Sequence, residues 1–349
     1  MCIFRFRMSV TKDNFQTSLK AKAYSKGIGS VLEFVRNPIS KIKADEVLVK
    51  IYAAGLNPVD YKIIYGQAKR YKNHELPFSV GFDCAGIILE LGPDVKNFKN
   101  GDKIFSKVPW HQMGTVSTHA IVDSKAIAKM PEQLSFCEAA SLPLVGCTVI
   151  ESFNLANLKK GDSILILGGS GGIGTFAIQY AKQLGAIVYT TTSTVNINLV
   201  KSLGADFVID YTKEDFKLQL KNIDVVYDTV GGKPLEDSIQ VLKKGGKLIS
   251  IAGHYDNATL KTIGIPCYLR FLNDCKNAKI NSKIRQAKIF YKHLWSFPNQ
   301  KTLNQISDLI NQQKIKPVID KEYLFEEAIS ALQYLETNRV KGKIVIRIV

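Results

Sequence analysis

Seven consecutive residues, Gly168-Gly169-Ser170-Gly171-Gly172-Ile173-Gly174, form the stretch of this chain best suited to chemistry. They follow Ile164-Leu165-Ile166-Leu167, an apolar run of the kind that forms a strand buried in a parallel sheet. They lead into Ile173, Ala177, Ile178, Ala181 and Leu184, whose spacing predicts a helix. A strand, a glycine turn and a helix in that order aim the first helical N–H groups, and the positive dipole end, at an anion. Gly169, Gly171 and Gly174 make the G-x-G-x-x-G spacing of a dinucleotide site. The first permits the tight turn, the second lets backbone approach the pyrophosphate, and the third lets helix and strand pack closely. Gly169, Ser170, Gly171, Gly172, Ile173 and Gly174 are therefore the expected phosphate-binding residues. A glycine-rich turn without a ligand is the competing reading. A second strand at 186–192 counts against it, because it completes a nucleotide-binding βαβ unit.

The end of that second strand bears on which dinucleotide is bound. NAD sites carry an Asp or Glu about 20 residues beyond the glycines, where it takes the ribose 2′-hydroxyl. Here the strand ends Tyr189-Thr190-Thr191-Thr192-Ser193, and no Asp or Glu lies between Asp162 and Asp206. A carboxylate there would repel a 2′-phosphate, so its absence favours NADP(H), with Thr192, Ser193, Tyr211 and Lys201 as the nearest partners. No arginine marks a phosphate site, and β-branched residues also suit a plain strand end.

A dinucleotide turn needs a sheet to carry it. Segments 164–167, 187–192, 207–209, 225–228 and 247–252 read as strands with helical patterns between them, which is α/β architecture with a doubly wound parallel sheet. Before residue 141 the chain reads as β-rich. Glu46-Val47-Leu48-Val49-Lys50-Ile51 alternates as a half-buried strand does, and 87–91 and 102–105 are further short strands. The turns Gly92-Pro93-Asp94 and Asn100-Gly101-Asp102 separate them. The chain closes on a strand at 343–349, and its 349 residues suffice for two domains.

No run of about 18 apolar residues is present to span a membrane. The six cysteines lack C-x-x-C spacing and read as free thiols of a reducing cytosol. Lys and Arg number 47 against 31 Asp and Glu, a net charge of +16. Part of the excess lies between Asp274 and Asp308, where Lys276, Lys279 and Lys283 follow helical spacing and Arg285, Lys288 and Lys292 continue. Such a run serves nucleic acid, an anionic surface or plain solvation; a solvated helix face is expected, with Phe290, Tyr291 and Trp295 as its apolar side. Residues 1–20 lack a signal-peptide core and are expected to be a disordered N-terminal extension, with Met8 as an alternative start. A mitochondrial presequence is the competing reading of that segment.

Further motifs stand in fixed order: Ala53-Ala54-Gly55-Leu56-Asn57-Pro58-Val59-Asp60, Gly81-Phe82-Asp83-Cys84-Ala85-Gly86, Val95 through Phe98 to Gly101-Asp102, and Pro143-Leu144-Val145-Gly146-Cys147-Thr148. After the glycine turn come Leu203-Gly204-Ala205-Asp206, Tyr227-Asp228-Thr229-Val230-Gly231-Gly232 and Gly342-Lys343-Ile344-Val345. From Ala21 to Val349 the chain resembles the medium-chain dehydrogenase/reductase superfamily, in its zinc-independent quinone oxidoreductase and enone reductase branch. The resemblance implies a GroES-like catalytic domain at 21–145 and 305–349, interrupted by a Rossmann domain at 146–304. It also implies a cofactor in the cleft between them, a small carbonyl or quinone substrate, and a homodimer. By the same resemblance Thr148 holds the nicotinamide carboxamide, Val230, Ala252 and Gly253 lie beside the cofactor, and Tyr211 faces the adenosine. Many NADPH-using relatives carry a basic residue close to Val195, which this chain lacks in Thr192-Ser193-Thr194-Val195-Asn196.

A catalytic zinc needs about three converging His, Cys or carboxylate ligands. Zinc-dependent relatives have Cys where this chain has Asn57, and His-Glu where it has Phe82-Asp83. Phenylalanine cannot bind a metal, Cys147 stands alone, and only Cys84 lies between Asp83 and Gly114, so no metal is expected. Without that Lewis acid, reduction of a conjugated C=C or a quinone remains accessible. Such a reduction needs a donor for the developing enolate. Asn57, Lys62 and Tyr65 are the candidates, with Asp60 orienting them. Asn57-Pro58-Val59-Asp60 equally reads as a helix cap, proline at the first position and an acid in the first turn. Lys62 and Tyr65 equally suit surface or packing roles, and His111, His119 and His254 read as structural or surface residues. The expected function is NADPH-dependent reduction of quinones or α,β-unsaturated carbonyls in the cytoplasm. A non-catalytic nucleotide-binding or RNA-binding protein is the alternative.

Overall fold

A computed structural model of the chain describes residues 14–67 and 74–349. Its first eight strands are β1 (Phe15–Ala21), β2 (Leu32–Pro38), β3 (Glu46–Leu56), β4 (Phe78–Ser79), β5 (Asp83–Leu91), β6 (Lys103–Lys107), β7 (His119–Asp123) and β8 (Ile127–Lys129). The alternating run at 46–51 extends into the eleven-residue β3, which pairs antiparallel with both β5 and β7. β1, β2 and β4 form a separate three-stranded sheet. The expected N-terminal extension is thereby shortened: β1 pairs with β2 along its whole length, burying Leu19 and Ala21. Its residues alternate between polar and apolar over too short a span to stand out from a polar leader. The remainder of that extension, 1–13, lies outside the described residues.

The next six strands, β9 (Ser163–Ile166), β10 (Ile187–Thr192), β11 (Phe207–Asp210), β12 (Ile223–Asp228), β13 (Leu242–Ser250) and β14 (Phe290–His293), make a wholly parallel sheet in the order β11-β10-β9-β12-β13-β14. Strand order reverses beside β9, the strand that carries the glycine turn, and such a switch point opens a crevice at the carboxyl ends. The chain then returns through β15 (Ile319–Leu324) to β16 (Lys343–Arg347), which lies antiparallel against β3 in the first large sheet.

The expected domain boundaries fall inside two helices, Pro143–Ala156 and Gln300–Asn311. Both helices face a core shared by the two sheets. Ala53, Ala85 and Phe105 from one sheet and Ile164, Tyr227 and Ile249 from the other belong to one apolar cluster with Cys147, Phe153, Leu303 and Ile306. That shared core holds the crevice at a fixed distance from the first sheet.

Two sequence expectations are corrected between 276 and 295. The basic run is not one helix, because Asn277 separates Cys267–Lys276 from Ala278–Ala287. Phe290 and Tyr291 belong to the edge strand β14 instead of the apolar side of a helix, and Trp295 follows that strand. β-branched and aromatic residues near a helix end give the same apolar pattern as a short strand.

Candidate active site

The glycine turn is shaped partly by the chain and partly for something beyond it. Gly168 has φ +73°, its N–H donates to Thr191 Oγ1 at 3.1 Å, and Gly169 N–H donates to the Thr191 carbonyl at 2.9 Å. A Cβ on Gly169 would meet Thr190 Oγ1 at 2.1 Å, and one on Gly174 would meet the Gly168 carbonyl at 2.4 Å. Packing within the chain therefore accounts for these two glycines. Gly171 differs. Its φ of −77° suits any residue, and a Cβ would meet nothing closer than the Gly168 carbonyl at 3.6 Å. Gly171 caps the Gly172–Gln183 helix and leaves a cradle over the helix N-terminus that a side chain would fill. The residues present thus fit a dinucleotide pyrophosphate.

The other expected cofactor residues stand at the carboxyl ends of neighbouring strands. Thr192 and Ser193 end β10, the exposed Tyr211 follows β11, the exposed Val230 follows β12, and Ala252 and Gly253 follow β13. The buried Asp228 organises the last three: it accepts from the N–H groups of Val230 at 3.0 Å and Gly231 at 2.8 Å, and from Ser250 Oγ at 2.6 Å. Ser250 Oγ in turn accepts from the N–H groups of Ala252 and Gly253. Thr148 sits apart from this edge, in the Pro143–Ala156 helix, where its hydroxyl donates to the Leu144 carbonyl at 2.6 Å. Lys201 is exposed in the Ile197–Ser202 helix.

Two residues near the carboxyl ends of β10 and β11 escaped the sequence reading. Asn196 is buried; its Nδ2 donates to Ser170 Oγ and Ser193 Oγ, both at 3.2 Å, while its Oδ1 and the Thr192 hydroxyl have no partner among the described residues. Asp210 is brought opposite Thr192 by the parallel register of β10 and β11. The absence of a carboxylate from the loop after β10 is thus not its absence from the neighbourhood. Hydrogen bonds from Thr194 and Thr212 hold the Asp210 carboxyl below the usual range, so it stays charged.

Beneath the crevice lies a buried ion cluster. Lys343, at the start of β16, donates from Nζ to Asn57 Oδ1 at 2.6 Å and to the Leu56 carbonyl at 2.8 Å, and pairs with Asp83 Oδ2 at 3.4 Å. Asn57 Nδ2 donates to Asp83 Oδ2 at 2.9 Å, and Leu144 N–H donates to Asp83 Oδ1 at 2.8 Å. Asn57 begins the Pro58–Ile64 helix, and Asp60 Oδ2 accepts from its N–H at 2.7 Å. All four side chains are buried. Asn57 is thus the N-cap of that helix, in a capping box with Asp60 as the sequence allowed, and both polar atoms of its amide are also engaged by Lys343 and Asp83. Two carboxyls share one ammonium, and desolvation pushes Asp60 up to about 7. The cluster also touches the glycine turn. Gly342 N–H donates to the Ser170 carbonyl at 2.9 Å, and Gly342 bridges Gly171.

Lys62 and Tyr65 lie on and just after the same short helix. Lys62 is at the surface, yet surrounding protein lowers the pKa of its ammonium; Tyr65 is half-buried and packs edge-on against Tyr61 at 5.5 Å. His119 accepts or donates at Thr118, His254 stacks on Tyr291, and His111 is exposed. Burial pushes the Cys147 thiol up to about 12, which keeps it protonated. Among the described residues no three His, Cys, Asp or Glu side chains converge as metal ligands.

Between the two sheets runs an aromatic wall. Trp110 stacks on His74 at 5.2 Å and meets Phe82 at 5.5 Å on one side, and meets Trp295 at 5.4 Å on the other. Trp295 continues to Tyr255 at 6.0 Å. Beside it Lys107 crosses from β6 to the carbonyl and hydroxyl of Ser296. The segment 107–116 contributes Lys107 and Trp110 to this wall. His74 comes from the segment before β4, of which 68–73 lie outside the described residues.

Known proteins share this fold. Residues 43–132 match the alcohol dehydrogenase GroES-like domain family and 203–346 the zinc-binding dehydrogenase family. The chain is 35% identical to a 2-methylene-furan-3-one reductase of Solanum lycopersicum, over 96% of this chain and 81% of that one. It is 33% identical to a chloroplastic NADPH-dependent alkenal/one oxidoreductase of Arabidopsis thaliana, over 97% and 82%. A quinone oxidoreductase structure from Coxiella burnetii superposes with a TM-score of 0.83 at 32% identity, over 96% of this chain and all of that one. This chain therefore belongs to the medium-chain dehydrogenase/reductase superfamily, in the zinc-independent branch of NAD(P)H-dependent quinone and enone oxidoreductases.

Proposed function

We propose that this oxidoreductase uses NADPH to reduce the conjugated C=C bond of small enones or the ring of quinones. The observation that carries the reading is Gly171, a glycine that neither its backbone angle nor its neighbours require, at the mouth of a helix N-terminus. Bound NADPH supplies the hydride. The N–H groups of the glycine turn hold the pyrophosphate, and Ser193, Asn196 and Tyr211 hold the adenosine end. Thr148, Val230, Ala252 and Gly253 border the nicotinamide side. As negative charge develops on the carbonyl oxygen of the substrate, the Lys62 ammonium stabilises it and the Tyr65 hydroxyl donates the proton. Asn57, Asp60, Asp83 and Lys343 position that helix and touch no substrate. The aromatic wall excludes water and stacks on a planar substrate. The same reading carries a homodimer in the cytoplasm, checked by light scattering and by fractionation.

Oxidation of NADPH and NADH, followed by nicotinamide absorbance with a panel of benzoquinones, phenanthrenequinone and short enones in the presence of EDTA, tests the proposal. Turnover that survives chelation and prefers NADPH is expected. Absence of turnover on the whole panel overturns the assignment, and preference for NADH overturns the cofactor.

A further inference from the structure

The Cys267–Lys276 helix is built inside out. Three of its polar residues turn toward the protein: Asn273 Nδ2 donates to the Tyr255 carbonyl at 2.9 Å, Arg270 donates to Asn257 Oδ1 at 3.0 Å, and Asp274 accepts from Asn257 Nδ2 at 2.8 Å. Three of its four large apolar residues turn outward, and Leu269 is half-buried. Tyr268, Phe271 and Leu272, at i, i+3 and i+4, are 63%, 66% and 58% exposed, and no residue of the helix is buried. A surface helix in contact with water alone puts its apolar stripe inward, so this outward stripe marks an interaction face. The following helix, Ala278–Ala287, obeys the ordinary rule. It packs Ile280, Ile284 and Ala287 inward and exposes Lys279 and Arg285. Together with Lys276 and Lys288 these are exposed cations that make no ion pair among the described residues, in a stretch with no acidic residue from 275 to 307.

We propose that this apolar helix and its flanking cations form a docking surface for an anionic lipid bilayer. The occupant follows from what the face presents. A second copy meeting it face to face would oppose two identical basic rims, at a cost. An RNA would satisfy the lysines but offers no hydrocarbon for Phe271 and Leu272. An anionic membrane interface offers both, taking aromatic and aliphatic side chains at the acyl boundary and lysines at the headgroups. Docking of this kind lies on the membrane; no helix of the described residues is long and apolar enough to cross one. The face also adjoins the aromatic wall, because Asn273 holds the Tyr255 backbone and the Tyr255 ring meets Trp295. The inference rests on these surfaces and not on the proposed reduction.

Co-sedimentation of the full chain with vesicles of phosphatidylcholine alone, and of phosphatidylcholine with phosphatidylserine, tests it without any turnover. The expected result is binding to the mixed vesicles that exceeds binding to the neutral ones by tenfold or more and falls steeply with salt. The double substitution Phe271→Ser with Leu272→Ser should abolish that binding while leaving the melting temperature and NADPH oxidation unchanged. Lys276→Gln, Lys279→Gln and Lys288→Gln should each weaken it on the order of fivefold. Equal binding to both vesicle types, no binding to either, or wild-type binding by the double variant overturns the proposal. So does light scattering in which the double variant converts a dimer to monomers, which would assign the face to a second copy.

Discussion

Gly171 and Gly174 are three residues apart and separate two demands that one glycine motif usually merges. At Gly174 a methyl group would press on the Gly168 carbonyl, so Gly174→Ala should lower stability by about 1–3 kcal/mol, with cofactor binding falling as a consequence. At Gly171 the chain leaves room, so Gly171→Ala should fold with a loss of about 1 kcal/mol or less, set by the helix cap alone. Its NADPH affinity should nevertheless fall by about tenfold or more, as the methyl occupies the phosphate cradle. Thermal melts and NADPH fluorescence titrations of both variants check this; equal losses of stability in the two would refute the division. Asp60 makes a second residue-level prediction. Desolvation first, then the Asp83 charge, raise its folded pKa from 3.8 to about 7, against the opposing effects of the Asn57 N–H and Lys343. Below about 4 the carboxyl is neutral in both folded and unfolded chains. Between about 4 and 7 the unfolded chain gives up the proton and the folded one keeps it, so stability falls as pH rises through that window and levels off above it. Asp60→Asn should remove this slope from a plot of melting temperature against pH, and an unchanged slope would place the titration elsewhere.

At the scale of elements, register decides what composition cannot. The parallel pairing of β10 with β11 sets Asp210 opposite Thr192, near the hydroxyls proposed for the adenosine end. If that carboxylate faces the 2′ position, Asp210→Asn should shift the ratio of NADPH to NADH catalytic efficiency toward NADPH by about fivefold, the worth of roughly 1 kcal/mol of relieved repulsion. An unchanged ratio would mean that Thr194 and Thr212 fully screen it. The same case shows where sequence reading reaches its end. The glycine turn, β9, β10 and the helix between them were legible because their signals are local: apolar runs, helical spacing and glycines within a few residues. The short helix after Asn57 was legible too, through Pro58 and Asp60. The ion pair of Lys343 with Asp83 was not, since 260 positions separate them and a lysine in a closing strand looks like any edge residue. Asn196 gave only the signal of a polar residue in a turn, and nothing local says that its oxygen would be buried without a partner. β1 and β14 failed for a different reason: short strands draw their stability from neighbours that the local pattern does not contain.

Across the whole molecule, contacts that join the two sheets converge on the cleft. Gly342 ties β16 to the glycine turn, Lys107 reaches Ser296, and Trp110 meets Trp295. A planar group that enters beside Trp110 and Trp295 would stack against that pair. These are also both tryptophans of the chain, so intrinsic tryptophan emission reports on this cleft and nowhere else. Titration with a redox-inert aromatic quinone analogue should quench that emission saturably. Trp110→Phe and Trp295→Phe should each retain part of the quenching, since either ring still borders the cleft. For turnover, Trp110→Ala should raise KM for a ring-shaped quinone by about five- to tenfold, the loss of one aromatic stacking partner, while changing KM for a short linear enone far less. Equal effects on both substrates would make the wall a general barrier to water, and no effect on either would place the substrate on the other side of the crevice, against Lys62 and Tyr65 alone.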